Sequence, residues 1–198
     1  DVTGLRPYEL HRHGLVRTFQ IPKEFSTLTV LENLMMVPEG QTGAKLWAAW
    51  LRWGEIRRQE SELREEAEEV LAFLALSHVA GERAGNLSGG QKKLLELGRV
   101  IMTGARVVLL DEPAAGVNRT LLRTLIDRIA TLRAERGYTF FIIEHDMNMM
   151  TELCDSVVVM AHGEVLCEGS MAEIRENRQV LEAYLGTREA AAGGGATA

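Results

Sequence analysis

Three apolar stretches of this sequence each end in polar residues of the kinds that bind cations and activate water. Those residues are Gln20, Asp111, Glu112, Glu144 and His145. Carboxylate and amide oxygens are ligands that suit Mg²⁺, and a carboxylate or an imidazole can act as a general base. The carboxyl ends of neighbouring strands in an open α/β sheet meet at the edge where ligands bind. The pattern therefore predicts a hydrolytic site at one edge of a sheet.

The acidic pair Asp111 and Glu112 follows residues 107–110, an apolar run that predicts a buried strand. This is the form of a Walker B strand, in which Asp111 would hold Mg²⁺ beside the β and γ phosphates of a nucleotide. Glu112 would then orient or deprotonate the attacking water. The alternative for an isolated acidic pair is that it only caps the next turn.

A second motif comes directly before an apolar-periodic segment. It consists of Leu87, Ser88, Gly89, Gly90 and Gln91. Ser88 can cap the helix, and the two glycines let backbone N–H groups approach a phosphate closely. A glycine pair alone would read as a capped turn, but the full string at a helix start predicts an anion-binding site.

The elements that must position these residues alternate between strand and helix. Strands are predicted at residues 15–19, 107–110 and 138–143. Helices are predicted at residues 7–13, 29–37, 55–76, 122–129 and 147–153, and from Ser88 onward. A hairpin is predicted between residues 156–161 and 164–168, with His162 and Gly163 as its turn. This order indicates an α/β fold.

Composition restricts the function classes. The chain has 198 residues, of which 46% are hydrophobic and 25% charged, as expected for one globular domain. Its net charge of −6 lacks the basic footprint of a nucleic-acid binder, so no nucleic-acid partner is expected. The longest apolar runs are far shorter than the roughly 20 residues that cross a bilayer.

Several conspicuous residues have structural interpretations. Trp47, Trp50 and Trp53 recur at helical spacing and are expected to pack. Cys154 and Cys167 have no metal-site spacing and are expected to be small core residues. The Ala/Gly tail at residues 190–198 is expected to be disordered.

Residues 87–91 resemble the signature motif of ATP-binding cassette (ABC) ATPases, and a Walker B strand follows at the family's usual distance. The resemblance implies a P-loop NTPase-like fold over residues 1–189, with a mostly parallel sheet and a helical subdomain at about residues 29–104. The remainder would be RecA-like. ATP and Mg²⁺ are the implied cofactors.

The same resemblance suggests roles for single residues. Gln20 resembles the Q-loop glutamine, which contacts Mg²⁺ and the attacking water. His145 resembles the switch histidine that contacts the γ-phosphate, although a lone histidine after an apolar run is otherwise more often structural. Asn118 occupies the D-loop, where many members have aspartate, and the resemblance implies that it contacts a second subunit across a dimer interface.

Four further stretches, residues 14–20, 28–33, 113–116 and 183–186, are similar to the ATPases of branched-chain amino-acid importers. The similarity implies an ATP-hydrolysing subunit at the cytoplasmic face of the plasma membrane. Its partners would be a second, identical or different ATPase subunit, membrane permease subunits and, indirectly, a solute-binding protein. Transport of urea, amides, lipid or another solute stays open, as does a non-transport ABC ATPase or an inactive regulatory module.

No G-x-x-x-x-G-K-[ST] string, the phosphate-binding loop of P-loop NTPases, occurs in the sequence. The first residue is Asp1, and no charged-then-apolar leader for export precedes the first motif. We therefore expect a chain that is cut off before the loop and is inactive alone. A missing strand beside the Walker B strand would leave apolar edge and face exposed, and hence poor solubility.

Overall fold

The computed structural model describes residues 1–18, 22–41 and 53–182. The described chain divides into two compact units, Asp1–Glu144 and His145–Ala198. The predicted α/β class is confirmed, because strands and helices alternate through the first unit. Gln20, Trp47 and Trp50 lie outside the described residues, as does the 190–198 tail.

The first unit contains a parallel sheet of three strands. They are β1 (Leu15–Arg17), β2 (Val107–Asp111) and β3 (Thr139–Ile143), in the order β1-β2-β3. Both pairings are parallel, so the three strands run in the same direction. Leu15 lies opposite Val107, and Val107 lies opposite Thr139. Their carboxyl ends therefore meet at one edge, as the site hypothesis requires.

The expectation of a further strand beside the Walker B strand is wrong. Strand β2 is hydrogen-bonded along both of its sides, to β1 on one and to β3 on the other. An additional strand could therefore pair only with the free side of β1 or of β3. Chain order does not fix spatial order in a parallel sheet, because each crossover can place the next strand on either side of its predecessor.

The described part of the first unit contains five α-helices. They are α1 (Pro7–Arg12), α2 (Val30–Met35), α3 (Trp53–Phe73), α4 (Gly89–Met102) and α5 (Arg119–Arg136). The helix predicted at residues 55–76 is observed as α3, and its side chains Ala67, Val70 and Leu71 are buried. Helix α4 approaches this core so closely that a Cβ at Gly98 would lie 2.8 Å from Leu74 Cδ1. This close contact fixes the position of α4 against the core, and it thereby fixes the position of the motif at the start of α4.

The second unit is built around the predicted hairpin. Helix α6 (Met147–Leu153) is followed by β4 (Val157–Ala161), β5 (Glu164–Gly169) and α7 (Met171–Glu176). The two strands pair antiparallel. His162 and Gly163 have φ values of 50° and 83°, and two positive φ values are what a two-residue type I′ turn requires.

The core of the second unit is small. Val157, Met171, Ile174 and Val180 form it. Cys154 and Cys167 pack against this core as half-buried, reduced side chains, so they are less enclosed than the sequence suggested. Among the described residues, no helix is both long and apolar enough to span a bilayer.

One face of the three-stranded sheet carries exposed apolar side chains among the described residues. Val108 and Leu110, which alternate with the exposed positions of β2, are buried against the helices. On the opposite face, Phe141 is 61% exposed and Ile143 is 53% exposed. All-parallel sheets normally have both faces covered, so this apolar face is a candidate for self-association.

We expect the 198-residue chain to self-associate through this face. Lysine at both Phe141 and Ile143 should shift it toward a 22.0 kDa monomer, because the charges prevent the apolar faces from stacking. Light scattering coupled to size-exclusion chromatography would measure the shift. The matched control is Ser61→Lys with Ala72→Lys, which adds the same charge at exposed positions of α3. A wild-type chain that runs as a monomer and melts cooperatively would contradict this expectation.

Candidate functional site

The acidic pair lies at the carboxyl end of the central strand. Asp111 is the last residue of β2, and Glu112 begins the turn that follows. Glu112 has φ +46°, in the left-handed region, although it is not a glycine and is followed by Pro113. A residue there costs on the order of 1–3 kcal/mol, and such positions cluster at functional sites. Surrounding contacts must therefore hold this backbone in place.

The turn is hydrogen-bonded to the end of the neighbouring strand. The Glu112 N–H donates to the carbonyl oxygen of Ile143 at 2.9 Å. Glu144, the residue directly after β3, accepts from the Ala114 N–H through Oε1 at 2.6 Å. The Glu112 carbonyl accepts from the Ala115 N–H at 3.2 Å, which closes the turn on itself. Two sequence-predicted residues, Glu112 and Glu144, are thus brought together.

Lys93 is a residue of this site that sequence reasoning missed. It lies in the second turn of α4, is only 6% exposed, and its Nζ donates to the Glu112 carbonyl at 3.4 Å. Burial lowers the pKa of Lys93, and nearby Glu96, Glu144, Asp111 and Glu112 partly offset that shift. The available sequence signal was a lysine on an otherwise apolar helix face. Lysine is almost never fully buried unless it is paired, so a lysine at such a position indicates a partner.

Asp111 carries an ion pair in this structure. Its Oδ2 lies 3.0 Å from Nη2 of Arg17, the last residue of β1. The buried Thr18 hydroxyl bridges the same two strands, because it accepts from the Asp111 N–H and donates to the Leu109 carbonyl. Arg17 is largely exposed, so the pair stabilises the fold by at most about 1 kcal/mol. Its consequence is that the Asp111 carboxylate is tied to the end of β1.

The donor set at this edge fits Mg²⁺ bound together with a nucleotide. The described residues contain no group of three or more His, Cys, Asp or Glu side chains that could hold a metal ion. Mg²⁺ does not need one, because it commonly takes one or two carboxylates and completes its shell with phosphate oxygens and water. Asp111 can supply that carboxylate, and Gln20 lies outside the described residues.

The signature residues form the start of α4 as predicted. Ser88 is the N-cap: its Oγ accepts from the Gln91 N–H at 3.4 Å, and Gln91 Oε1 accepts from the Ser88 N–H at 3.0 Å. Ser88 and Gly89 are exposed, so the helix N-terminus is open to an anion. The side chain of Leu87 is buried and anchors the motif, and the predicted contact of Leu87 with a nucleotide stays a prediction.

The second glycine of the motif has a packing role. A Cβ at Gly90 would lie 2.6 Å from Leu121 Cδ1 and 3.2 Å from Val117 Cγ1. A Cβ at Gly89 would meet only the Gly116 carbonyl, at an ordinary 3.5 Å. The signature turn thus lies directly against the D-loop segment that follows β2. The two sequence motifs are neighbours within a single chain.

Asn118 is the N-cap of α5. Its Oδ1 accepts from the Leu121 N–H at 3.0 Å. Asparagine and aspartate are about equally good caps, each worth about 1 kcal/mol relative to alanine. The departure from the family's commoner aspartate therefore leaves the local structure intact. The contact of Asn118 across a dimer interface stays a prediction.

His145 is the first residue of the second unit and is exposed. Asp146 after it caps α6, accepting from the N–H groups of Asn148 and Met149 at 2.9 and 3.0 Å. The cap fixes the start of α6 at Met147, close behind His145 in the chain. The predicted γ-phosphate contact of His145 stays a prediction.

Comparison with known families agrees with the resemblance. Residues 2–115 match the model of the ABC transporter family. Residues 164–190 match the model described as branched-chain amino acid ATP-binding cassette transporter. The first match includes the signature motif and the acidic pair, and the second begins at β5.

Curated relatives carry the same description. The chain is 41% identical over 189 residues to a probable branched-chain amino acid transport ATP-binding protein, LivG, of Archaeoglobus fulgidus, covering 96% of this chain and 72% of that protein. It is 37% identical over 186 residues to the high-affinity branched-chain amino acid transport ATP-binding protein BraF of Pseudomonas aeruginosa, with 94% and 73% covered.

A solved structure confirms the fold. The chain superposes on a nucleotide-free ATP-binding cassette from an ABC transporter with a TM-score of 0.74 and 36% identity, covering 93% of this chain and 73% of that one. A dimeric cassette in a post-hydrolysis state, bound to ADP and Pi, gives a TM-score of 0.67 at 22% identity, which shows the fold alone. Sequence, family models and fold agree: this chain belongs to the ATP-binding subunits of ABC transporters, in the branched-chain amino acid group.

Proposed function

We propose that this chain forms most of the ATP-hydrolysing subunit of an importer for branched-chain amino acids. The observation that supports this best is the arrangement of two half-sites in one chain. The acidic pair lies at the carboxyl edge of the sheet, and an open, capped helix start packs beside the loop that follows it. The names of the relatives support the cargo.

In this proposal each predicted site residue has its own role in hydrolysis. Asp111 and Gln20 would hold Mg²⁺, which would supply positive charge against the phosphates. Glu112 accepts a proton from the attacking water, and His145 contacts the γ-phosphate. The exposed N–H groups at the start of α4, together with Ser88, bind the phosphate of ATP carried by a second subunit. Two subunits thus enclose ATP, and hydrolysis reopens them.

Coupling to the membrane is assigned to the segment from about residue 24 to residue 51. Within its described part, Phe25 and Met36 are large apolar side chains that are about half exposed. Met36 also lines a groove of about 430 Å³ between α2 and α3, together with Leu28 and Ile56. These features support contact with a permease subunit, at the cytoplasmic face of the membrane.

Glu112→Gln should abolish turnover in the complete gene product. The amide cannot accept the proton, so kcat should fall at least about 100-fold, consistent with the loss of a general base. ATP binding and ATP-dependent dimerisation should persist, because glutamine is nearly isosteric. Steady-state ATPase assays and gel filtration with ATP would measure both. The control is Glu82→Gln, an exposed carboxylate after α3, and near-normal turnover by Glu112→Gln would exclude the assigned base.

The 198-residue chain itself should show no ATP turnover above background. Its sequence contains no glycine-rich loop with the lysine that neutralises the β and γ phosphates. A malachite-green phosphate assay with Mg²⁺ and ATP would test this, with the complete gene product as the positive control. Multiple turnovers by the purified chain, abolished by Glu112→Gln, would contradict the expectation that the 198-residue chain is inactive alone.

Branched-chain amino acids should stimulate the assembled transporter. The complete gene product, reconstituted in proteoliposomes with its permease and binding protein, should hydrolyse ATP several-fold faster with leucine, isoleucine or valine. Urea and short amides are the matched alternative substrates. Stimulation by urea or short amides alone, with no response to leucine, isoleucine or valine, would contradict the branched-chain assignment.

A further inference from the structure

The turn at Glu112 is held from two different elements of the first unit. The end of β3 contributes two acceptors, the Ile143 carbonyl and Glu144 Oε1. Helix α4 contributes one donor, the ammonium of Lys93. The backbone groups that they contact belong to the left-handed residue Glu112 and to Ala114. A strained conformation persists only where its surroundings over-determine it, and these contacts meet that condition.

Glu144 provides the shortest of these contacts. A carboxylate that accepts from a backbone N–H at 2.6 Å forms a charge-assisted hydrogen bond, which is stronger than one between neutral groups. The contact fixes Ala114, two residues beyond Glu112, relative to the end of β3. The Ile143 carbonyl fixes Glu112 itself at 2.9 Å. Together they tie both ends of the strained turn to one strand.

Lys93 acts from the other side. Its side chain is almost fully buried, and its ammonium contacts the backbone carbonyl of Glu112 rather than leaving the site for solvent. Burial lowers the pKa of Lys93, and the negative charges of Glu96, Glu144, Asp111 and Glu112 partly offset that effect. The neighbouring Lys92 instead pairs with Glu24 at 2.7 Å. The two adjacent lysines therefore offer a matched comparison on one helix.

We propose that Lys93 and Glu144 are positioning residues that hold Glu112 in the orientation needed to activate water. The inference rests on the proposed ATPase function and goes beyond it, because neither residue contacts nucleotide in this scheme. Removing either contact lets the turn relax toward negative φ and displaces the Glu112 carboxylate. A displacement of about 1 Å can lower the rate of a positioned reaction about 100-fold.

The test uses pairs of variants in the complete gene product. Lys93→Met removes the ammonium but keeps most of the side-chain volume, and Lys93→Arg keeps a cation. Glu144→Ala removes the acceptor, whereas Glu144→Gln keeps an oxygen that can still accept from the Ala114 N–H. Lys92→Met is the control for loss of a lysine from α4. ATPase kcat, the KM for ATP and the melting temperature are measured for each.

Lys93→Met and Glu144→Ala should lower kcat about 10- to 100-fold while the KM for ATP changes less than about 2-fold. Lys93→Arg and Glu144→Gln should recover at least about 5-fold in kcat over their partners, because each restores the contact. Lys92→Met should stay within about 2-fold of wild type. This split between kcat and KM distinguishes positioning from a general loss of folded protein.

Two results would overturn the proposal. One is a kcat within about 2-fold of wild type for both Lys93→Met and Glu144→Ala. The other is Glu144→Gln being as inactive as Glu144→Ala, since the geometry then does not depend on the oxygen. If Lys93→Met does not fold, the Glu144 pair alone decides. Glu112→Gln in the same assay tests the proposed function separately. This variant lacks the carboxylate itself, so its loss of turnover does not depend on the contacts of Lys93 and Glu144.

Discussion

The pairing of β2 on both sides is the constraint on which the rest of the site depends. Because β1 and β3 lie parallel to β2 and in register with it, the residues at their carboxyl ends share one edge. This brings Arg17 within 3.0 Å of Asp111 and sets the Ile143 carbonyl against the Glu112 N–H. A slip of one residue in either pairing would turn the side chains to the opposite faces of the sheet and separate these groups.

The local features of the site could be predicted from sequence because their causes are local. Ser88 caps α4 with Gln91, three residues away, and the His162-Gly163 turn needs only two residues that accept positive φ. The strand before Asp111 was recognisable because a buried parallel strand is apolar throughout. In each case the interacting groups lie within a few residues of each other, where spacing alone carries the information.

The contacts missed by sequence reasoning join residues far apart in the chain. Arg17 and Asp111 are separated by 94 positions, and Ala114 and Glu144 by 30. No pattern within one element specifies such pairs, because they depend on which strands become neighbours. The same cause produced the error about a strand beside β2. Strand order is a property of the crossovers, whereas the hydrophobic pattern reports only that a segment is buried.

The central claim is that the acidic turn and the signature helix start are two halves of an ATP site. A structure of the complete gene product with Mg²⁺ and a non-hydrolysable ATP analogue tests it most directly. The account predicts a γ-phosphate near Glu112 of one subunit, with the Ser88 hydroxyl and Gly89 N–H of the other subunit on its opposite side. A nucleotide bound away from the carboxyl edge of β2, or a Glu112 carboxylate directed away from the γ-phosphate, would contradict it.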